Sequence, residues 1–206
     1  PNVTLVVNKI NATVTGNSDT TKTYNGLSQS VTGFSASGLL SGETISNLTG
    51  VSATGVSGIN AGTYTNVVSG AYSNYNTTLV NGSLVIGKAN ATVTANSDST
   101  KIYNGQAQSV TGFTATGLVN GETTSVLTGV TASGTGTNAG TYTSVASGTD
   151  SNYNLSFVNG SLVINKASLS ASLQGTVSKD YDNTTAATLT GSNFSLTGWI
   201  SGEGAT

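Results

Sequence analysis

The sequence predicts an all-β fold, and three observations support this fold class. Val, Ile, Thr and Tyr recur at regular places, and these residue types suit a pleated, half-buried strand. Proline occurs only at position 1, and no helical 3.6-residue apolar period extends over a useful length. The chain also repeats itself with a period of 79 residues, and the glycines within each period separate short runs of strand-forming residues.

The repeat is plain when two segments are aligned. Lys9–Gly55 and Lys88–Gly134 are identical at 33 of 47 positions, and a one-residue deletion then changes the offset to 78. A third, divergent copy begins at Lys166, where Lys179 and Tyr181 match residues of the second copy. The chain is therefore expected to contain tandem copies of one small β unit.

The alignment predicts four segments. Residues 1–9 read as the last strand of a preceding repeat, 10–88 and 89–166 as two whole repeats, and 167–206 as a partial third repeat. Neither a Gly/Ser linker nor a Pro-rich linker separates them. We therefore expect neighbouring repeats to dock on one another in an elongated rod. We also expect this chain to be a fragment of a longer protein.

Turn signals predict about seven short strands in each repeat. Asn81-Gly82 lies between strand-forming residues, which is the strongest short-range signal for a type I′ hairpin. Tyr24-Asn25-Gly26 predicts a second hairpin. Asn60-Ala61-Gly62-Thr63-Tyr64 has the layout of a tyrosine corner, which favours tandem immunoglobulin-like β-sandwich modules. The alternative, which the sequence leaves open, is a flatter β module or one that shares strands. The expected core residues are Tyr24, Phe34, Leu39, Leu48, Tyr64, Tyr75, Leu84 and Ile86.

Composition excludes several classes of function. Cys, His, Met and Arg are absent, which removes disulfides, thiol nucleophiles and imidazole chemistry. Six Lys against eight Asp and Glu give a net charge of −2, so no basic surface for nucleic acid is expected. There is no apolar run long enough for membrane insertion, and no cofactor is expected. The sparse charge and the Thr, Ser and Asn surface favour an exported protein.

Several motifs together resemble a known family. Lys-Ala at the repeat start, Tyr-Asn-Gly, Asn-Ala-Gly-Thr-Tyr, Ser-Asn-Tyr-Asn and Val-Asn-Gly-Ser-Leu-Val-Ile recur in this order. This combination resembles the mostly-β glycine-rich (MBG) repeats of large bacterial surface proteins. The third copy, from Lys179 to Ala186, resembles the related YDG-type repeat, with Asn183 where that pattern has Gly. The resemblance implies a long exported adhesin or biofilm-matrix protein without catalytic residues.

The acidic residues favour structure over catalysis. Glu43, Glu122 and Glu203 occupy the same Gly-Glu turn in successive copies, and general acid–base chemistry needs paired groups in one site. An enzyme is therefore not expected. Asp180 and Asp182 are weak candidates for Ca²⁺ ligands, and a polar loop is the alternative interpretation.

Tyrosine, tryptophan and lysine side chains are further residues to which the sequence assigns a role. Tyr72 has no tyrosine counterpart in the second copy and is the candidate for stacking on a glycan. Trp199 aligns with leucines of the earlier copies and is expected in the core. Lys22 and Lys101 are candidates for an internal isopeptide crosslink, although a solvated lysine is the simpler interpretation.

The function predicted from the sequence is that of structural stalk or spacer repeats. They would hold the distal binding region of an exported bacterial adhesin, or of a biofilm-matrix protein, away from the cell. The alternative is a lectin-like module that binds exopolysaccharide or host glycans directly. The expected location is extracellular, at the bacterial cell surface, and the expected partners are neighbouring repeats of the same chain.

Overall fold

The computed structural model describes residues 2–204. Pro1, Ala205 and Thr206, at the outer ends of the first and last predicted segments, lie outside the described residues. The described chain contains twenty β-strands and three 3₁₀ turns of three residues each, and no α-helix. The prediction of an all-β fold is therefore confirmed. Between residues 2 and 204 no helix has the length and apolar character needed to cross a membrane.

The first repeat forms ten strands, which is more than the seven expected. They are β1 Ile10–Gly16, β2 Asp19–Thr23, β3 Gln29–Val31, β4 Phe34–Ser37, β5 Val51–Ala53, β6 Val56–Gly58, β7 Gly62–Asn66, β8 Val68–Gly70, β9 Tyr75–Val80 and β10 Gly82–Gly87.

The second repeat forms eight strands, and the residues that follow form two. They are β11 Ala89–Ala95, β12 Asp98–Ile102, β13 Gln108–Thr111, β14 Phe113–Thr116, β15 Val130–Gly136, β16 Gly140–Gly148, β17 Tyr153–Val158, β18 Gly160–Asn165, β19 Ser170–Leu173 and β20 Phe194–Thr197. The three 3₁₀ turns are Ile45–Asn47, Thr124–Val126 and Gly191–Asn193.

The strands pair into several small sheets with the same pattern in both repeats. In the first repeat the orders are β4-β1-β9 and β2-β10-β7, with the ribbons β3-β6 and β5-β8 beside them. β1 is parallel to β9 and antiparallel to β4, and β10 is parallel to β2 and antiparallel to β7. In the second repeat the orders are β14-β11-β17 and β12-β18-β16-β15-β13. After the second repeat, β19 pairs with β20.

The predicted hairpins are wrong. β9 and β10 flank Asn81, but β9 pairs with β1 while β10 pairs with β2 and β7, so the chain crosses from one sheet to another. Gly82 lies inside β10, where a Cβ would meet the carbonyl oxygen of Asn17 at 2.2 Å. The glycine is needed for this close backbone approach and not for a turn with positive φ. Gly26 does have a φ of 74°, but its flanking strands β2 and β3 also belong to different sheets.

One buried side chain lies where the first repeat has more strands than the second. Asn66 is fully buried, accepts a hydrogen bond from the amide of Gly55 at 3.0 Å, and donates to the carbonyls of Asn17 and Gly33 at 3.1 and 3.0 Å. Its Oδ1 therefore occupies the amide of Gly55, which lies between β5 and β6. Ser144 takes the equivalent position in the second repeat, where β15 and β16 each run without a break.

The predicted strand over residues 3–9 is not formed, since residues 2–9 contain no strand. The equivalent strands β10 and β18 each lie between two partners from their own repeat. Val3–Lys9 has no such partners among the described residues, and Val3 and Leu5 are 95% and 86% exposed.

The chain packs as two compact units, whose boundary does not follow the repeats. The first unit comprises residues up to Val93 with Ala115–Val130 and Gly148–Ser156. The second comprises Thr94–Thr114, Thr131–Ser147 and the residues from Phe157 onward. The segments of the second repeat that contact the first repeat are thus part of the first unit.

Each unit has its own apolar core. The first core contains residues of β1, β5, β8 and β9, and the second contains residues of β13 and β18. Of the predicted core residues, Tyr24, Leu48, Tyr75, Leu84 and Ile86 are buried. The other three are partly buried: Phe34, Leu39 and Tyr64.

The tyrosine-corner hydrogen bond is present in both repeats. The hydroxyl of Tyr64 donates to the backbone carbonyl of Asn60 at 2.9 Å, and that of Tyr142 donates to the carbonyl of Asn138 at 3.0 Å. The sequence prediction for this local tie is confirmed, since each hydroxyl bonds backbone four residues upstream.

Candidate functional site

The Gly-Glu turn is closed by the same backbone hydrogen bond in all three copies. The amides of Glu43, Glu122 and Glu203 each donate to the carbonyl three residues earlier, at 3.0 Å. The glycine before each glutamate has a φ between 72° and 91°, in the left-handed region that favours glycine. The turn therefore presents one carboxylate at the same place in each repeat.

Within each complete repeat a tyrosine hydroxyl links this turn to the body of the repeat. The hydroxyl of Tyr75 accepts from the amide of Leu40 at 2.9 Å and donates to Glu43. This hydrogen bond to Glu43 raises the pKa of Tyr75. The second repeat reproduces the arrangement with Tyr153 and Glu122.

Glu122 also accepts a hydrogen bond from the preceding repeat. The hydroxyl of Tyr24 donates to Oε1 of Glu122, while the hydroxyl of Tyr153 donates to Oε2. The two tyrosine rings meet edge to face, with centroids 5.4 Å apart and an interplanar angle of 82°. Tyr24 and Tyr153 are 6% and 2% exposed, so one carboxylate joins two buried phenols.

The surroundings shift the pKa of both phenols upward. The hydrogen bond to Glu122, with burial, raises the pKa of Tyr24 from its ordinary value of 10.0 to about 12. Burial, with the hydrogen bond to Glu122, raises the pKa of Tyr153 to about 12. Deprotonation would place a second negative charge beside the carboxylate, so both phenols stay protonated over a wider pH range.

A backbone hydrogen bond holds Tyr24 beside the end of the first repeat, and its turn lies close to the second repeat. Its amide donates to the carbonyl of Gly87 at 2.8 Å, at the end of β10. Gly26 follows in the same turn, where a Cβ would lie 2.8 Å from the Cβ of Asn120. The turn therefore approaches the Gly-Glu turn of the second repeat as closely as a glycine permits.

Asn152 makes a second contact between the repeats in the first unit. Its Oδ1 accepts from the amide of Ala61 at 2.9 Å, and its Nδ2 donates to Oδ1 of Asn60 at 3.1 Å. Its backbone carbonyl accepts from the amide of Ala89 at 2.9 Å. Asp150 caps this turn by accepting from the amide of Asn152 at 2.7 Å. The Asn-Ala-Gly and Ser-Asn-Tyr motifs therefore meet at the repeat junction.

The Tyr–Glu bond recurs one repeat further on, within the second unit. Tyr103 donates to Glu203, and its amide donates to the carbonyl of Asn165 at 2.8 Å. The bond to Glu203 raises the pKa of Tyr103. A Cβ on Gly105 would lie 3.0 Å from a methyl group of Ile200, so this turn also lies close to the Gly-Glu turn.

A cavity of about 320 Å³ lies beside this second Tyr–Glu bond. Its lining includes Tyr103, Leu169 and Trp199. Trp199 is 38% exposed, so the prediction of a core residue is wrong.

The sequence profile of the MBG domain (YGX type) matches residues 12–85 and 91–163, which is more than two thirds of the chain. The chain belongs to the MBG family. MBG repeats are typical of the repeat regions of bacterial surface proteins. No curated protein and no solved structure was found to match the chain.

The resemblance to MBG repeats drawn from the motifs is therefore confirmed for two tandem copies. Residues 167–206 lie outside the matched ranges, so their YDG-type assignment stays a prediction. The predicted repeat boundaries likewise stay predictions. The Tyr–Glu bond joins MBG motifs of successive repeats, because its tyrosine comes from Tyr-Asn-Gly and its glutamate from the Gly-Glu turn.

Tyr72, the candidate glycan residue, lies at the edge of the first core. It is partly buried, packs against core residues, and its ring lies 5.8 Å from that of Tyr75 at a tilt of 32°. At the offset of 78 it aligns with Asp150. Glycan stacking by Tyr72 stays a prediction.

Asp180 and Asp182, the candidate Ca²⁺ ligands, lie in an exposed loop. Oδ1 of Asp182 accepts from Lys179 at 2.8 Å and from the amide of Thr184 at 3.0 Å. The lysine lowers the pKa of Asp182. Across residues 2–204 there is no group of three or more His, Cys, Asp and Glu that could hold a metal. Ca²⁺ binding stays a prediction.

The candidate crosslinking lysines form ion pairs with nearby aspartates. Lys22 lies 3.2 Å from Asp19, and Lys101 lies 3.5 Å from Asp98. Each aspartate also accepts from the amide and hydroxyl of the threonine two residues later. These contacts organise the start of β2 and β12, and the isopeptide crosslink stays a prediction.

Sequence reasoning identified the recurring glutamates and tyrosines but not their pairing. The alignment places Glu43, Glu122 and Glu203 in one repeated turn, and it predicts Tyr24 in a hairpin and in the core. The available signal was that both motifs have nearly the same period. That period by itself does not show which repeat supplies each partner.

Proposed function

We propose that this chain is a region of structural repeats in an exported bacterial adhesin or biofilm-matrix protein. It serves as a stalk or spacer that holds a distal binding region away from the cell. The observation that supports this best is the bond between Tyr24 and Glu122, which the bond between Tyr103 and Glu203 repeats at the next junction. A junction that uses the same two motifs each time suits a protein extended by adding copies.

The form of the stalk is part of the proposal. We infer immunoglobulin-like sandwich modules arranged as a stiff rod. The hydroxyl ties of Tyr64 and Tyr142 support the first point. The single residue Lys88 between β10 and β11 supports the second, because it leaves little chain for a flexible linker.

We also propose that the chain is extracellular and is not an enzyme. The three Gly-Glu carboxylates each accept tyrosine hydroxyls, which gives them a structural use. Lack of Cys and Met suits an exposed location, because these are the side chains most readily oxidised.

Small-angle scattering of the full chain tests the stalk. The unmodified chain is expected to give the profile of an elongated, stiff particle. The double variant Tyr24→Phe, Glu122→Gln is expected to give a more flexible profile, since it loses the bond between successive repeats. A compact profile, or a flexible one for the unmodified chain, would count against the spacer function.

The alternative function, direct binding of glycans by a lectin-like module, is tested by a binding assay. The full chain, displayed in many copies on a surface, is tested against bacterial exopolysaccharides and host glycans. Saturable binding that Tyr72→Ala abolishes would favour direct glycan recognition. The absence of binding by the folded protein would leave the spacer as the better explanation.

A further inference from the structure

We propose that the first repeat carries a docking face for another MBG repeat, formed by Ile10, Leu40, Glu43, Asn74 and Tyr75. This face receives the Tyr-Asn-Gly and Asn-Ala-Gly turns of that other repeat. The inference rests on the proposed function, in which repeats join end to end, and it adds the partner of one specific surface.

The first argument is that only one oxygen of the Glu43 carboxylate accepts a hydrogen bond among the described residues. Oε2 of Glu43 accepts the hydroxyl of Tyr75. Among residues 2–204, no hydrogen bond reaches Oε1 of Glu43. The equivalent oxygen of Glu122 accepts the hydroxyl of Tyr24 from the preceding repeat. Glu43 therefore presents an acceptor at the position where the second repeat binds a tyrosine.

The second argument is the exposure of apolar side chains around this carboxylate. Leu40 is 59% exposed and Ile10 is 39% exposed. Their equivalents in the second repeat are Val119, which is partly buried, and Ala89, which is 7% exposed. The same face is thus open in the first repeat and more covered in the second, where the first repeat contacts it.

The third argument is the asparagine beside the face. Asn74 aligns with Asn152, whose side chain bonds the Asn60-Ala61 backbone and side chain of the preceding repeat. Asn74 is exposed, and its recorded side-chain contact is with the adjacent Ser73 at 3.4 Å. Within residues 2–204 its Nδ2 donates no hydrogen bond, so this nitrogen can make the contact that Nδ2 of Asn152 makes.

A cavity of about 410 Å³ lies at this face. Its lining includes Leu40, Glu43, Asn74 and Tyr75, together with the segment from Val7 to Ile10. An anionic acceptor beside apolar side chains matches a phenol, which has an apolar ring and one hydroxyl donor. The tyrosine of a Tyr-Asn-Gly turn has this chemistry, and Tyr24 already binds the equivalent surface in the second repeat.

The test compares the full chain with an extended chain. In the extended chain a second copy of residues 10–87 replaces residues 1–8, so that it joins Lys9 as Gly87 joins Lys88. Leu40→Asp and Glu43→Gln are introduced one at a time at the original positions 40 and 43 of both chains, and not in the added copy. Unfolding by urea is then measured. Val67→Asp is the control, because Val67 is 41% exposed and its equivalent Val145 is 50% exposed.

Docking predicts that Leu40→Asp leaves the unfolding midpoint of the original chain unchanged and lowers that of the extended chain. The loss from Glu43→Gln is expected to be larger in the extended chain, because two tyrosines then depend on the carboxylate. Val67→Asp is expected to act equally in both chains. Amide hydrogen exchange in the turn from Leu40 to Glu43 is expected to slow in the extended chain.

Equal effects of Leu40→Asp and Glu43→Gln in the two chains would overturn the docking face. That result would leave the proposed function standing if Tyr24 and Glu122 are still coupled in the unmodified chain. Binding of a glycan to the original chain that Leu40→Asp abolishes would also overturn it, because a sugar and not a repeat would then occupy the face.

Discussion

The hydroxyl of Tyr24 and the carboxylate of Glu122 form a hydrogen bond across 98 positions of the chain. The same carboxylate accepts from Tyr153 of its own repeat, and the rings of the two tyrosines pack edge to face. A hydrogen bond to a charged group contributes about 1.5–3 kcal/mol when it is buried. Glu122 thus stabilises its own repeat and its attachment to the preceding one.

Replacing Glu122 by glutamine is expected to lower the free energy of unfolding by about 2–3 kcal/mol, because two phenols lose a charged acceptor. Glu43→Gln is the matched control, since Glu43 has the same turn and only Tyr75 as a hydroxyl donor. Its expected loss is smaller, about 1–2 kcal/mol. Urea unfolding of the two variants measures the difference, and equal losses would argue against a stabilising bond from Tyr24.

Gly26→Ala is expected to disturb the junction more than a similar change elsewhere. A side chain at a φ of 74° costs about 1–2 kcal/mol, and the new Cβ would also lie 2.8 Å from that of Asn120. Gly42→Ala is the control, because φ there is 89° and nothing lies within 4 Å of the added Cβ. The difference in unfolding midpoint isolates the contact with Asn120, and a difference near zero would show that the neighbouring turn adjusts.

Ser144→Ala is expected to stabilise the second unit by about 1 kcal/mol, since the buried hydroxyl has no hydrogen-bond partner among the described residues. Asn66→Ala at the equivalent position is expected to destabilise by about 2–3 kcal/mol, because three backbone groups lose their partner. Thermal unfolding of both variants checks the opposite signs. Destabilisation by Ser144→Ala would indicate that the hydroxyl has a partner, such as a bound water.

Alkaline pH is expected to weaken the junction. The pKa of Tyr24 is raised from 10.0 to about 12 in the folded protein, so the unfolded chain loses its proton first as the pH rises. The free energy of unfolding should therefore be independent of this group below pH 10, fall as the pH rises from 10 to 12, and then level off. Tyr153 acts in the same direction over the same interval.

Urea unfolding across that interval, with tyrosinate absorbance as a second readout, tests the pH dependence. Tyr24→Phe removes one of the tyrosines whose pKa is raised and should reduce the slope of stability against pH. Tyr181→Phe is the control, because Tyr181 is 91% exposed. An unchanged slope in Tyr24→Phe would show that Tyr24 titrates normally in the folded protein.

Local and periodic features were predictable from the sequence because they depend on residues close together in the chain. The repeat itself, the all-β class and the hydroxyl ties of Tyr64 and Tyr142 are of this kind. The tie spans only four residues, so the Asn-Ala-Gly-Thr-Tyr motif contains both of its ends. Burial of Tyr75, Leu84 and Ile86 followed from their position in apolar, strand-forming runs.

Strand pairing could not be read from the same patterns. Asn81-Gly82 has the residues of a tight hairpin, yet the flanking strands belong to different sheets. Gly82 is required there by the nearby carbonyl of Asn17, which is 65 positions away. The residues of the turn predict the wrong strand pairing, because the constraint on this glycine comes from a distant part of the backbone.

The sequence by itself determined that this protein is a tandem array of MBG repeats with a Tyr-Asn-Gly turn and a Gly-Glu turn at fixed places in each complete repeat. Only the tertiary structure decided that the tyrosine of one repeat binds the glutamate of the next. The physical reason is that the period fixes where each group lies in its own repeat. Contacts between repeats depend instead on how β10 and β11 orient successive copies, which places Tyr24 within hydrogen-bonding reach of Glu122.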